Sequence, residues 1–127
     1  MRVEIVAVLD GGRVDFRCAL GGAQALWAGP PSPGPGQLFD VELDVEEPIA
    51  AWARATTGPG AITGTPAGGA VLTGTVLGTG DADDPVVDLR LGDDIVLLEP
   101  PADGWDVRPG EVVAARVTSL RLYPYEL

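Results

Sequence analysis

The chain reads as an all-β protein, and three observations predict it. Apolar and polar residues alternate along several short runs, the period of two that marks a strand. Glycine and proline, 18 and 12 residues of 127, sit between those runs and not in long polar tracts. One pattern is also written twice. "VDFRCALGGAQALWAGPP" (14–31) and "VDLRLGDDIVLLEPP" (87–101) both open Val-Asp-apolar-Arg, pass through Leu-Gly and an apolar run, and close on a double proline. With 46% hydrophobic residues, short strands joined by tight turns are expected over disorder. The length suits one ordinary domain or two very small lobes sharing a core.

In the first copy, Val3, Ile5, Ala7 and Leu9 alternate with Arg2, Glu4, Val6 and Val8. Asp10-Gly11-Gly12 then supplies the positive φ a hairpin turn needs. Val14, Phe16, Cys18 and Leu20 form the next inward row, Gly21-Gly22 is read as a second turn, and 23–28 as a third strand. "GPPSPGPG" (29–36) is a loop, because its prolines lack ladder donors. Phe39, Val41, Leu43 and Val45 alternate with Asp40, Glu42, Asp44 and Glu46 in the fourth strand.

The second copy follows the same order. Residues 71–80 form the first strand and "DADDP" (81–85) the turn, with Val87, Leu89 and Leu91 facing inward after it. "GDD" (92–94) turns the chain. "IVLLE" (95–99) is apolar on both faces, which predicts a strand in the middle of the molecule. "PPADGWDVRPG" (100–110) is the matching loop, with Gly110 corresponding to Gly36; Val113, Ala115 and Val117 face inward, and "LRLY" (120–123) is a fifth strand. A period of about 72 residues seen twice suggests duplication and fusion, with too few copies for a solenoid. The division expected is 1–55, a Gly/Thr/Pro-rich connection at 56–70, and 71–127. "PIAAWARA" (48–55) has helix signals in Pro48 and Gly58. Its alignment with "LRLYPY" favours a strand instead, since local propensity is a weak prior.

The order Gly74-Thr75-Val76, then Val87-Asp88-Leu89-Arg90-Leu91-Gly92, then Val107-Arg108-Pro109-Gly110-Glu111-Val112-Val113-Ala114, then Leu120-Arg121-Leu122-Tyr123-Pro124 resembles the TOBE domain. That family is a small OB-like β-barrel found in ABC-transporter ATPases and molybdate-binding proteins, and the resemblance covers about 55 residues of the second copy. It implies two OB/TOBE-like five-stranded half-barrels, related by internal duplication and packed as one pseudo-twofold unit, with at most one short helix. Molybdate-binding members pack paired barrels and hold the oxyanion with Ser, Lys and backbone amides. This chain has no lysine, and no Ser-Ala-Arg-Asn-like segment precedes Gly74.

Charge and residue inventory exclude several functions. A net charge of −11 opposes unassisted binding to nucleic acid and to anionic membrane surfaces. Absence of histidine removes Ser-His-Asp and Cys-His catalysis and Cys/His zinc sites. Absence of lysine removes a P-loop. No enzymatic activity and no cofactor or metal is expected. Cys18 is the single cysteine, which forbids an internal disulfide, and its alternating context reads as a small buried hydrophobe. The N-terminal residues lack a signal-peptide pattern and no apolar run reaches the ~20 residues a spanning helix needs, so a cytoplasmic protein is expected. Usage rich in Ala, Gly, Val and Arg suggests a bacterial source.

The candidate functional residues are few. Asp40, Glu42, Asp44 and Glu46 would line one face of a strand, about 6.5–7 Å apart, as a docking edge for an Arg/Lys-rich partner or as a solvated edge that resists aggregation. Trp105, in a Pro/Gly loop, is a candidate recognition residue or a lid folded back on the barrel. Phe16 and Phe39 read as core. Asp81, Asp83 and Asp84 read as a turn with Asx chemistry. Arg17 and Arg90 occupy equivalent positions in the two copies, as a symmetric oxyanion site would require, or else pair with acids across the strand. The favoured expectation is a non-enzymatic acidic module, a small inhibitor, immunity or adaptor protein binding a basic protein. A small-ligand or oxyanion-binding protein is the alternative, and homo-oligomerisation stays open.

Overall fold

A computed structural model describes residues 1–56 and 60–125. It is all-β, with strands β1 (Arg2–Val8), β2 (Arg13–Cys18), β3 (Gly21–Trp27), β4 (Leu38–Asp44), β5 (Ala51–Arg54), β6 (Ala61–Gly64), β7 (Ala70–Thr79), β8 (Val87–Leu91), β9 (Asp94–Leu98), β10 (Val112–Val117) and β11 (Arg121–Pro124). The one helical element among the described residues is a 3-10 turn at Asp10–Gly12, where Gly11 and Gly12 take φ of 74° and 75° as the β1–β2 connection requires.

Five strands close into a small OB-like barrel. β1 pairs with β2, β2 with β3, β4 with β1, and β11 with β4, all antiparallel. The ring is completed by β11 lying parallel to β3, at Arg121↔Leu26 and Leu122↔Trp27. Closure removes the edges of these strands, the usual remedy for unpaired ladder groups. The last stave therefore comes from residues 121–124, and not from the segment that follows β4. That segment, β5, crosses to the other half and pairs antiparallel with β10. β10 pairs with β7, β7 with β8, and β8 with β9. The second five strands thus run in the same order, but β5 reaches β9 through one bond, from Ile49 N–H to Glu99 C=O at 3.2 Å. "PIAAWARA" is accordingly extended at 51–54, and its Ile49 is buried.

Local geometry recurs between the halves. Gly36 N–H donates to Ile5 C=O at 2.7 Å, and Gly110 N–H to Val76 C=O at 2.8 Å. Gln37 Oε1 accepts from Gly34 N–H and Glu111 Oε1 from Arg108 N–H, each at 2.7 Å. β1 is bulged between Ile5 and Ala7 and β7 between Val76 and Gly78. The extra residue in each, Val6 and Leu77, is exposed, because a bulge takes one side chain out of alternation.

One continuous core joins the halves. Val3, Ile5, Val14, Phe16, Val41 and Leu43 meet Leu72, Val76, Leu89, Leu91, Leu98, Leu120 and Leu122 in the same cluster. Burying such aliphatic side chains contributes about 1.5–3 kcal/mol each before entropy is charged, and no charged side chain is buried among the described residues. Among the described residues no helix is long and apolar enough to cross a membrane.

Four expectations need correction. Gly21-Gly22 is not a turn: Ala19 and Leu20 make the turn, and both glycines lie in β3. A Cβ on Gly21 would collide with the Ile62 carbonyl of β6, so the glycine serves strand approach. Asp94 likewise begins β9, leaving Gly92-Asp93 as the turn. The connection at 56–70 holds β6, which pairs parallel with β3 and antiparallel with β7 and so welds the halves into one sheet. Its residues 57–59 lie outside the described residues. "IVLLE" does not lie in the middle of the molecule. Among the described residues β9 pairs with β8 alone, and Ile95 and Leu97 are 58% and 56% exposed.

Candidate functional site

The alternation of β4 performs as the sequence implies. Val41, Leu43 and Val45 are buried, while Asp40, Glu42, Asp44 and Glu46 project outward. The row is flanked by β1 on one side and β11 on the other, and both neighbours supply arginine. Arg2 Nε donates to Asp40 Oδ1 at 2.9 Å across the β1–β4 pair. The hydrogen bond to Arg2 holds the Asp40 carboxyl below its ordinary range and raises the Arg2 guanidinium. At the other end Arg121 Nε lies 3.2 Å from Glu46 Oε2, and Tyr123 Oη donates to Glu46 Oε1 at 3.0 Å, which pushes the Tyr123 hydroxyl upward. Glu42 and Asp44 oppose Tyr123 and Arg121 in the ladder, and neither has a salt-bridge partner among the described residues. The four-carboxylate row is thus a neutralised frame around two free charges. Arg2 and Arg121 were not singled out in the sequence. Their signal is the outward parity of two flanking strands, which needs the β11–β4 pairing before it can be read.

Trp105 does not join the row. Its ring packs edge-on against Trp52 of β5, with centroids 5.7 Å apart and planes at 77°, and it is half-buried against the core. That is the lid arrangement. A second aromatic pair, Trp27 with Phe39 at 4.7 Å, covers the closed barrel, with Trp27 Nε1 donating to Pro31 C=O at 2.8 Å. Phe16 is buried as expected, while Phe39 is half-buried in this pair. Cys18 is also half-buried.

The two arginines of the alternative reading are treated differently. Arg17 faces Glu4 across β1–β2 and binds both carboxylate oxygens, at 3.2 and 3.0 Å. Arg90 faces Thr75 at the corresponding place on β7–β8 and is exposed. No contact among the described residues joins them. Asp81 Oδ1 accepts from the N–H groups of Asp83 and Asp84 at 3.0 and 2.9 Å, the Asx turn expected of "DADDP".

No family model, curated protein or solved structure matches the chain.

Proposed function

We propose that the protein is a non-enzymatic binding module that engages a basic protein partner through the outer face of β4. The observation that carries this reading is the pair Glu42 and Asp44. They stand on a strand fixed on both sides by ladders, without a cation of their own, while the acids at each end are already neutralised. Two carboxylates held about 6.5–7 Å apart on a rigid strand suit two basic side chains of a docked surface, and the net charge of −11 would speed the encounter. Trp105 falls out of this surface, since its ring is engaged with Trp52.

In this reading the protein acts in the bacterial cytoplasm as an inhibitor, immunity or adaptor protein. Its TOBE-like, duplicated character is supported by the recurring hydrogen bonds and bulges of the two halves. The oxyanion alternative loses support from Arg17, whose guanidinium is occupied by Glu4.

The test uses an oligo-arginine peptide as probe, titrated calorimetrically at low and high salt. Reversing both charges, Glu42→Lys with Asp44→Lys, is expected to weaken binding by about tenfold or more. Unchanged affinity retires the β4 face.

A further inference from the structure

The two halves differ along the far edge of their third strands, and the difference leaves a strand position open. β3 and β9 occupy the same place in their halves. Each follows a two-residue turn, closed by Cys18↔Gly21 in one case and Leu91↔Asp94 in the other. The far edge of β3 is taken at both ends. β6 docks parallel to it at Gly21 and Gly22, with Ile62 N–H donating to Leu20 C=O at 2.9 Å, and β11 docks at Leu26 and Trp27. On β9 the far edge carries, among the described residues, one backbone bond just past its end, Ile49 N–H to Glu99 C=O. No strand among the described residues pairs with β9 where β6 pairs with β3; there Asp94 holds the N-terminal ammonium of Met1 through its side chain, at 3.1 Å.

The parity of the hairpin identifies the free groups. Residues flanking a two-residue turn exchange backbone bonds, and alternate residues then point the same way. Asp94, Val96 and Leu98 therefore turn their amides to β8. Ile95 and Leu97 turn theirs outward, as does Glu99, whose carbonyl takes the Ile49 bond. Ile95 and Leu97 also expose their side chains, at 58% and 56%. A flat apolar edge with free amides is what natural sheets normally blunt with charge, proline or a covering segment. Here the strand itself has none of these between Ile95 and Leu98.

We propose that β9 receives an extended segment of a partner protein, added parallel to it in the place β6 takes on β3, with apolar residues flanked by Lys or Arg. The charge around the slot selects that chemistry. Asp88 stands opposite Leu97, and Asp93 and Glu99 bracket the strand, with none of the three in an ion pair among the described residues. Among the described residues the cations beside the slot are Arg90, opposite Ile95, and the N-terminal ammonium of Met1, which is already paired with Asp94 Oδ1 at 3.1 Å. A second copy of this chain would bring its own −11 to the contact, which disfavours edge-to-edge self-pairing. The inference goes beyond the β4 reading, because it rests on backbone groups of a different strand.

The experiment uses the 127-residue protein, isotopically labelled, and a synthetic hexapeptide of alternating valine and lysine as probe. Binding is followed by amide chemical shifts and hydrogen exchange. Addition is expected to shift and protect the Ile95 and Leu97 amides. A peptide methylated at its backbone nitrogens, with the same charge, is expected to bind about tenfold more weakly, as loss of two net hydrogen bonds requires. Leu97→Pro, which deletes an outward donor where an edge strand tolerates proline, is expected to abolish the response with the melting profile retained. If that variant does not fold, the methylated peptide decides alone. Equal binding of both peptides, or unmoved Ile95 and Leu97 amides at saturation, overturns the proposal. So does a concentration-dependent dimer in which those amides are already protected, since the occupant is then a second copy. The Glu42→Lys, Asp44→Lys variant is expected to keep the response at β9, so failure of the β4 reading is separately visible.

Discussion

Arg54 lies over the indole ring of Trp52, its guanidinium carbon 5.0 Å from the ring centroid. The same guanidinium donates to Glu111 Oε2 at 2.7 Å and to Asp106 Oδ1 at 3.2 Å. One side chain from β5 thereby clasps the loop before β10, where Trp105 packs edge-on against Trp52. Truncating Trp52 removes the ring that both partners use. Trp52→Ala is expected to cost about 2–3 kcal/mol, below the full range for a buried tryptophan because this one is half-buried. Chemical denaturation checks the loss, and the fluorescence of Trp105 is expected to change with it.

The clasp carries a pH dependence. Hydrogen bonds from Arg54 hold the carboxyls of Glu111 and Asp106 below their ordinary 4.5 and 3.8, and Arg2 does the same for Asp40. Folded-state values below the unfolded ones mean that the contribution is complete above the unfolded values. It is lost as pH falls through the depressed ones. The melting temperature should therefore hold steady from neutral pH to the ordinary carboxylate range and drop beneath it. Arg54→Gln is expected to lower the neutral-pH value modestly and to flatten part of the acid drop. An acid limb identical to the parent's in that variant would falsify the linkage.

Leu122 in β11 is fully buried in the closed barrel while pairing with Leu43 and Trp27 on either side. Leu122→Ala is expected to destabilise by about 3–4 kcal/mol, in the upper half of the range for such truncations, because the lost contacts also hold the closing stave. Protease sensitivity at 28–37, whose ladder end rests on β11 through Ala28 N–H to Leu122 C=O, is expected to rise in parallel.

Gly21 combines a φ of 130° with an approach to the Ile62 carbonyl that leaves no room for a Cβ. Gly21→Ala is expected to cost about 2–3 kcal/mol from backbone strain and displacement of β6. Gly11→Ala meets no neighbour within 4 Å and bears only the penalty of its φ, so it is expected to cost about 1 kcal/mol. The ranking of the two by thermal unfolding separates strand approach from conformation alone.

Much of this architecture is legible in residue order because strands write their faces into a period of two. Val41, Leu43 and Val45 against Glu42 and Asp44, or Val87, Leu89 and Leu91 against Asp88 and Arg90, need nothing else to be sorted into core and surface. What residue order does not contain is which strand lies beside which. The place of "IVLLE" at an edge depends on β9 having β8 as its only strand partner among the described residues, and apolar character on both faces points the other way. The same gap hides Arg121, whose relation to Glu46 exists only because β11 returns to β4. It also hides β6, whose four residues carry one buried side chain and end on a glycine, too short a run to announce a strand.

The exchange of final strands between the halves has a consequence for how the molecule comes into being. On the ribosome, residues 1–44 can assemble four staves but cannot complete their ring until Pro124 has emerged. Strands β5 to β10 must all be made before the ring begun by β1 to β4 can be finished. Ladder partners this remote along the chain are slow to find one another, so the nascent first half should persist as an unsealed sheet and become resistant to proteolysis only after β11 has emerged.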